Sequence, residues 1–486
     1  MDIPNQTSVV EAVKGQLSLL ADPRRWRIVN DRRAGADARL AGADVETLWH
    51  HPPQTHLLVK LSPAAGDRGF TFYLPLLLTP EKPPAGGVPL TVGDGDWFAS
   101  DPFLSPPELM ALLKSAGVGN AGRLRLDSPS VGPFAMATRN PLFKPAGCKI
   151  EPLLEREGEP STNYLYRLDV RGAGGEHALV AKRYLPREEP GRGDREWELA
   201  TALSSELVPR PVGRLADTRS GNTLVGFYEF VPGVEVGLVL WKLYGLLGVV
   251  PTGSVLARVR VVFAKSLRTL ASFHDQIAQR MKYDAGRGPV NEGVFHRAEE
   301  DLRALRGYRV NSKAYRAIIA GLVSSLEGGG SVFHGPRPVH GDLMWRQVVW
   351  RMELERGKEL DLLTLPLEPP EEMPGRLTVM DAESWRAGYL EEDLAGLAAA
   401  DNFMLALQER DRFAPVIFAA LWHAAYQAND WDEGAAHRSL RPLLSLIRLR
   451  HLHDAAYYAG AKGENSVKTA EYDHYVRVSL HLAGLV

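Results

Sequence analysis

A single cysteine in 486 residues, Cys148, excludes an intramolecular disulfide framework and suits a reducing compartment, so a cytoplasmic location is expected. The thiol itself reads as a small packed apolar side chain. No charge of one sign dominates. Lys+Arg total 57 against Asp+Glu 59, a net charge of −2, which counts against nucleic acid or an anionic membrane as the main partner. A membrane-spanning run is also missing: the longest apolar stretch, VEVGLVLWKLYGLLGVVP, contains Glu235 and Lys242 and ends at Pro251. It is expected as a buried helix rather than a span. The first residues, MDIPNQTSVVEAVKGQLSLL, lack the basic-then-apolar pattern of a secretory signal. There is no internal repeat and no long low-complexity tail.

What is present is an ordinary globular composition, 45% apolar and 24% charged. The length exceeds what one core usually serves, so two or three domains are expected. Residues 1–150 read as mixed α/β. HLLVKLSP and FTFYLPLLLT are strand-like runs around the turn AAGDRG, and SPPELMALLKSAG reads as a helix capped by Ser105. The Gly/Pro-punctuated GPFAMATRNPLFKPAG marks a first border near 150. Residues 151–233 change character: STNYLYRLDV, HALVAKRYL and TLVGFYEFVPG are strands, with DREWELATALSSEL an amphipathic helix among them. From 234 to 486 apolar residues recur at helical spacing, as in VLARVRVVFAKSLRTLASFHDQIAQRM, KAYRAIIAGLVSSL and PVIFAALWHAAYQA.

Four pieces of this chain, in order, match the needs of phosphoryl transfer: anchored phosphates, a held metal and an oriented hydroxyl. Lys182, in a strand, suits the α- and β-phosphates of ATP. A helix acid should fix it. Glu198 is the first choice and Glu196 the competitor; about 200° separates them around the helix, so only one faces inward. PVHGDLMWRQVVW follows, in which Asp342 would accept the proton of an attacking hydroxyl and His340 would brace the loop or carry a proton. Gln347, five residues after Asp342, would offer its amide oxygen to Mg²⁺. Last comes RLTVMDAESW, a strand delivering Asp381 to metal and phosphates, with Glu383 two residues on. A GxGxxG loop is missing. EREGEPSTNY stands in its place, and there Ser161, Thr162 and backbone N–H groups would contact phosphate. That absence argues against a protein kinase.

These motifs resemble the aminoglycoside-phosphotransferase-like superfamily, and within it the maltokinase and glucosamine-kinase branch, over residues 150 to about 465. That branch reads HGD-x4-Gln, so the resemblance makes Gln347 a mark of membership. DAES is similar to its Asp-Phe-Glu-Gly, and EEDLAGLAAADNF, with Asp393, is similar to a segment whose Asp braces the catalytic loop. YEFVPG resembles its hinge, which implies that Glu229, Phe230 and Val231 present backbone groups to adenine. FYLPLLLT and VGDGDWFASDPFLSPPELMALL resemble its N-terminal cap. The implied fold is α+β, a bilobal protein-kinase-like fold (β-rich lobe, then helical lobe) preceded by a mixed α/β cap. The implied activity is an ATP- and Mg²⁺-dependent kinase of a sugar or aminosugar hydroxyl.

The acceptor residues depart from the branch. Asp454 stands where maltokinases carry Lys, and Tyr457 has lost a second Tyr partner in its motif. Trp422 and Tyr426 offer aromatic faces near Asp430, Trp431, Asp432 and Glu433, and this acidic drift favours an aminosugar over neutral maltose. Two alternatives stand beside this reading: an aminoglycoside- or choline-type phosphotransferase, and a pseudokinase that binds nucleotide without transfer. The sequence leaves oligomeric state open.

Overall fold

The computed structural model describes residues 8–9, 11–12, 40–51, 54–63, 72–80, 88–92, 95–100, 124–127, 148–152, 163–172, 175–184, 191–281, 289–327, 337–351, 377–464 and 469–486. The expected helix at 105–117, Ser161, Thr162 and the side chain of Glu383 lie outside the described residues. Two compact units emerge, Met1–Trp197 with Arg210–Phe230, and Glu198–Pro209 with Val231–Val486.

The first unit is built on two antiparallel sheets. One has the order β1-β2-β3-β5-β4, from β1 (Leu40–His51), β2 (Gln54–Pro63), β3 (Phe72–Thr79), β4 (Val88–Val92) and β5 (Gly95–Ser100). The strand runs expected at HLLVKLSP and FTFYLPLLLT are β2 and β3, paired in register from Thr55↔Leu78 to Leu61↔Phe72. The second sheet runs β6-β10-β11-β9-β8-β7, from β6 (Leu124–Asp127), β7 (Cys148–Pro152), β8 (Asn163–Gly172), β9 (Gly175–Tyr184), β10 (Pro211–Asp217) and β11 (Thr223–Glu229). The border expected near 150 therefore falls inside β7, because β6 and β7 supply the two edges of this sheet.

Helix α1 (Arg192–Ala202) is seated on that sheet by Asp194. Its Oδ1 accepts the backbone N–H of Thr223 at 3.0 Å and the Thr223 hydroxyl at 2.6 Å, and pairs with Arg214 at 3.1 Å. Gly193 permits the approach, since a Cβ there would lie 2.7 Å from the Tyr184 ring and 2.9 Å from the Thr223 carbonyl. This seating fixes which face of α1 looks down on β9.

The second unit is mainly helical: α2 (Val236–Gly245), α3 (Thr252–Arg280), α4 (Pro289–Ala304), α5 (Ser312–Glu327), α6 (Leu390–Leu407), α7 (Ala414–Ala428), α8 (Glu433–Glu464) and α9 (Thr469–Leu482). The apolar run at Val234 is α2, a buried helix as expected, with Val236, Val239, Leu240, Leu243 and Tyr244 inside. On α3, Val259, Phe263, Leu267, Leu270, Phe273 and Ile277 form the buried stripe that helical spacing dictates. No described helix is long and apolar enough to cross a membrane.

Five short strands interrupt the helices and position the chemistry. β12 (Val234–Glu235), β14 (Val348–Trp350) and β15 (Leu377–Val379) form one ladder, and β13 (Arg337–Val339) pairs with β16 (Arg386–Gly388) in another. The HGD loop spans β13 to β14, and Asp381 sits between β15 and β16. Both ladders thus pin both loops at their ends.

Candidate active site

In the first unit, Lys182 projects from β9 and its ammonium lies 2.7 Å from Glu196 Oε2, both side chains nearly dry. Glu196 is therefore the partner, and the preference for Glu198 is corrected: α1 turns Glu198 to solvent, because Asp194 has already set the helix's rotation. The Tyr184 hydroxyl also donates to Glu196 Oε2 at 2.7 Å, and it lies 2.9 Å from the Tyr228 hydroxyl. Tyr184 gives its one proton to the carboxylate, so Tyr228 donates to Tyr184. Burial, with Glu196 close by, pushes the Tyr184 phenol well above its usual range and keeps it a donor.

At the hinge segment, Glu229 N–H donates to the Arg210 carbonyl at 2.9 Å and Phe230 N–H to the Ala178 carbonyl at 3.0 Å. Two of the three backbone donors that the resemblance offered to adenine are thus used within the sheet. The Phe230 ring sits 4.6 Å from the Arg167 guanidinium, and Val231 is buried in the second unit.

In the second unit, the HGD loop is held from beneath by Asp393, in the first turn of α6. Its Oδ2 accepts His340 N–H at 2.8 Å and its Oδ1 accepts Gly341 N–H at 3.0 Å. His274 Nε2, from α3, lies 2.8 Å from the same Oδ2. Burial works to raise the Asp393 pKa, but hydrogen bonding and charge from His274, with His340, prevail and hold it below the usual carboxylate range. Gly341 sits at φ +84, where a Cβ would lie 2.4 Å from the Ser384 carbonyl, so this turn requires glycine.

His340 is fully buried, and its Nε2 lies 2.9 Å from the Met380 carbonyl. A carbonyl only accepts, so Nε2 carries the proton. His340 is a brace between the two loops, which corrects its expected share in proton transfer. Asp342 points the other way and is 38% exposed. Its Oδ1 accepts from Arg450 Nη1 at 2.6 Å. Burial pulls the Asp342 pKa up, yet Arg450, with His453 and His340, drives it far below the usual range, so it stands ready as a carboxylate.

Gln347 departs from expectation. Its Oε1 accepts the backbone N–H of Met344 at 2.7 Å, and its Nε2 lies 3.3 Å from Asp381 Oδ2. The amide presents nitrogen, which cannot ligate a cation, toward Asp381, the carboxylate expected to face the metal. In this arrangement Gln347 positions Asp381 and the loop rather than offering oxygen to Mg²⁺. Asp381 itself adopts φ +60, a conformation few non-glycine residues hold, reached because Met380 is pinned on both sides. The Met380 N–H donates to the Gln347 carbonyl at 2.7 Å and the Met380 carbonyl accepts from His340. Among the described residues no group of three or more His, Cys, Asp or Glu is arranged to hold a metal. Mg²⁺ does not require one, since it keeps waters and takes one or two carboxylates with substrate phosphates, a demand Asp381 fits.

Of the expected acceptor residues, Asp454 reaches the catalytic carboxylate indirectly: its Oδ1 lies 3.4 Å from Arg450 Nε. Tyr457 packs edge-on to Tyr458 at 5.3 Å, beside the Phe403–Tyr475 cluster. Trp422 packs on Trp431 at 5.6 Å, which ties α7 to its following turn, and Tyr426 packs on His423 at 6.5 Å within α7. Arg450 itself was not anticipated. The i,i+4 Arg–Asp spacing in IRLRHLHDAAYY is a visible signal for its pairing with Asp454, but its turn toward Asp342 is a tertiary contact.

This fold is known. A solved glucosamine kinase (crystal form A) matches with a TM-score of 0.51 at 16% identity, covering 98% of this chain and 97% of that chain. A glucosamine kinase in complex with glucosamine, ADP and inorganic phosphate gives 0.49 at 16% identity over 91% of this chain and 94% of its own. A Plasmodium vivax ethanolamine kinase gives 0.45 at 11% identity, over 72% and 86%. No family model and no curated protein sequence matches the chain. This likeness shows the fold, a protein-kinase-like one.

Proposed function

We propose that the chain is an ATP-dependent kinase that moves a γ-phosphoryl group to a hydroxyl of a sugar or aminosugar. The observation that carries this reading is the Asp393 clamp, which holds the backbone of His340 and Gly341 and leaves the next side chain, Asp342, presented as a carboxylate.

In this scheme Lys182, fixed by Glu196, offsets charge on the α- and β-phosphates. Asp342 orients the acceptor hydroxyl and takes its proton as the new O–P bond forms and the bond to the departing ADP oxygen breaks. Asp381, steadied by Gln347, would hold Mg²⁺, which when bound neutralises phosphate charge. Holding the base and the carboxylate on two loops tied by the His340–Met380 hydrogen bond limits reorganisation during transfer.

The test is ATP turnover with Mg²⁺ against a sugar panel of glucose, maltose and glucosamine, beside Asp342→Asn and Lys182→Ala. Acceptor-dependent turnover abolished by Asp342→Asn is expected, with Lys182→Ala weakening nucleotide use. Thermal stabilisation by ATP with no turnover of any acceptor would replace this reading with a nucleotide-binding, non-transferring protein.

A further inference from the structure

Arg450 has no part in the scheme above, yet it makes the shortest contact to the catalytic carboxylate. It lies on α8 with a side chain only 14% exposed, Nη1 2.6 Å from Asp342 Oδ1 and Nε 3.4 Å from Asp454 Oδ1. The charged groups around Asp342 come from four elements. Arg450, His453 and Asp454 lie on α8, Asp301 on α4, Arg386 on β16, and His340 in the loop itself. The acids among them are matched: Asp454 faces Arg450, and Asp301 lies 3.0 Å from His453 Nδ1. Of the acidic drift legible in the sequence, Asp454 is therefore answered by a cation, Arg450.

We infer that Arg450 is a positioning residue that fixes one oxygen of Asp342 and leaves the other to the acceptor hydroxyl. The inference rests on the proposed function and deepens its site. A hydroxyl engaged by Asp342 lies about 2.6–3.2 Å from the carboxylate, so the free oxygen has to be held in one place for transfer. The guanidinium does this as a planar donor that is itself anchored by Asp454.

Two measurements test this, and one needs no acceptor. The first is a stability cycle on Arg450→Met, Asp342→Asn and the double variant. Arg450→Met, which leaves Asp342 and Asp454 without their shared cation, should lower Tm, and adding Asp342→Asn should restore at least half of the loss. Arg450→Lys should retain part of the stability. Additive losses would overturn the coupling, and if Arg450→Met fails to fold, recovery of a folded protein in the double variant decides the same point.

The second is steady-state turnover of ATP with whichever acceptor of the sugar panel is active. Arg450→Met should lower kcat by about tenfold or more while changing the KM values little, with Arg450→Lys recovering part. An unchanged kcat in Arg450→Met, or a loss confined to KM, would overturn the inference while leaving the kinase reading intact. No turnover of any acceptor would instead sink the kinase reading, and the stability cycle would still decide the Arg450–Asp342 coupling.

Discussion

Lys182 Nζ and the Tyr184 hydroxyl converge on one oxygen of Glu196, each at 2.7 Å, so a single carboxylate atom neutralises the strand cation and ties α1 to β9. Removing that charge leaves a lysine buried with a neutral partner, a loss of ~3–5 kcal/mol for a buried pair. Glu196→Gln should lower stability by that order in denaturant titration and raise the ATP KM. Glu198→Gln, on the exposed face, should stay within ~0.5 kcal/mol of the parent and leave KM unchanged. Equal effects from the two variants would refute the assignment.

That contrast marks the limit of what was legible in the chain. Helical geometry says that only one of the two acids faces inward, but which one depends on the rotation of α1, and that rotation is set by Asp194 reaching Thr223, 29 residues away. The same division recurs in the loop. HGD and Asp381 were legible because each chemistry demands its residue type at a fixed spacing, and Asp393 through the family resemblance of EEDLAGLAAADNF. The orientation of the Gln347 amide was not, since either end of a carboxamide satisfies the motif and only the Met344 N–H decides between them. Arg450 was hidden for a plainer reason: an arginine on an amphipathic helix has an ordinary solvated role, and the contact that gives it another spans 108 residues.

Asp393 receives two backbone N–H groups and the His274 ring in a site that is 2% exposed. Asparagine keeps one accepting oxygen and turns an amide toward the other donor. Asp393→Asn should therefore leave at least one buried donor unsatisfied, costing ~1–3 kcal/mol. Because its folded pKa is depressed, the stability Asp393 contributes is present above the unfolded carboxylate value and lost as pH falls through the folded one. The variant should thus show a flatter decline on the acid side, with kcat reduced and the ATP KM preserved. A drop in nucleotide affinity with kcat intact would contradict its role in holding the catalytic loop.

Asp401 is buried on α6 and accepts the Tyr244 hydroxyl at 2.7 Å, close to Trp345, the indole that stacks on Phe263 at a centroid distance of 5.4 Å. Burial pushes its carboxyl well above the usual range, against the hydrogen bond from Tyr244. A raised carboxyl favours folding at low pH and loses that contribution as pH rises through the folded value. Asp401→Asn keeps the acceptor for Tyr244 without the charge, so it should match the parent at acid pH and exceed it at pH 8. Asp401→Ala orphans the Tyr244 hydroxyl and should cost ~1–3 kcal/mol at both. Chemical denaturation at the two pH values checks this, and a destabilised Asn variant at pH 8 would contradict it.

His451 neighbours Arg450 in sequence, but its fully buried ring has no hydrogen-bond partner at either nitrogen among the described residues. Burial depresses its pKa to about 4. Unfolded histidine binds its proton near pH ~6.5, so between that value and about 4 the unfolded chain takes up a proton that the folded chain refuses. Stability should fall as pH drops through this window, by up to ~3 kcal/mol for this group, and be unaffected by it above pH ~7. His451→Leu, of similar apolar bulk, removes both the titration and the two unpartnered nitrogens. Urea titrations at pH 7.5 and pH 5 should then show a parent that loses stability between the two and a Leu variant that loses less. An identical pH dependence in both proteins would mean that the ring reaches water or a partner, and that its burial in α8 is not what governs its protonation.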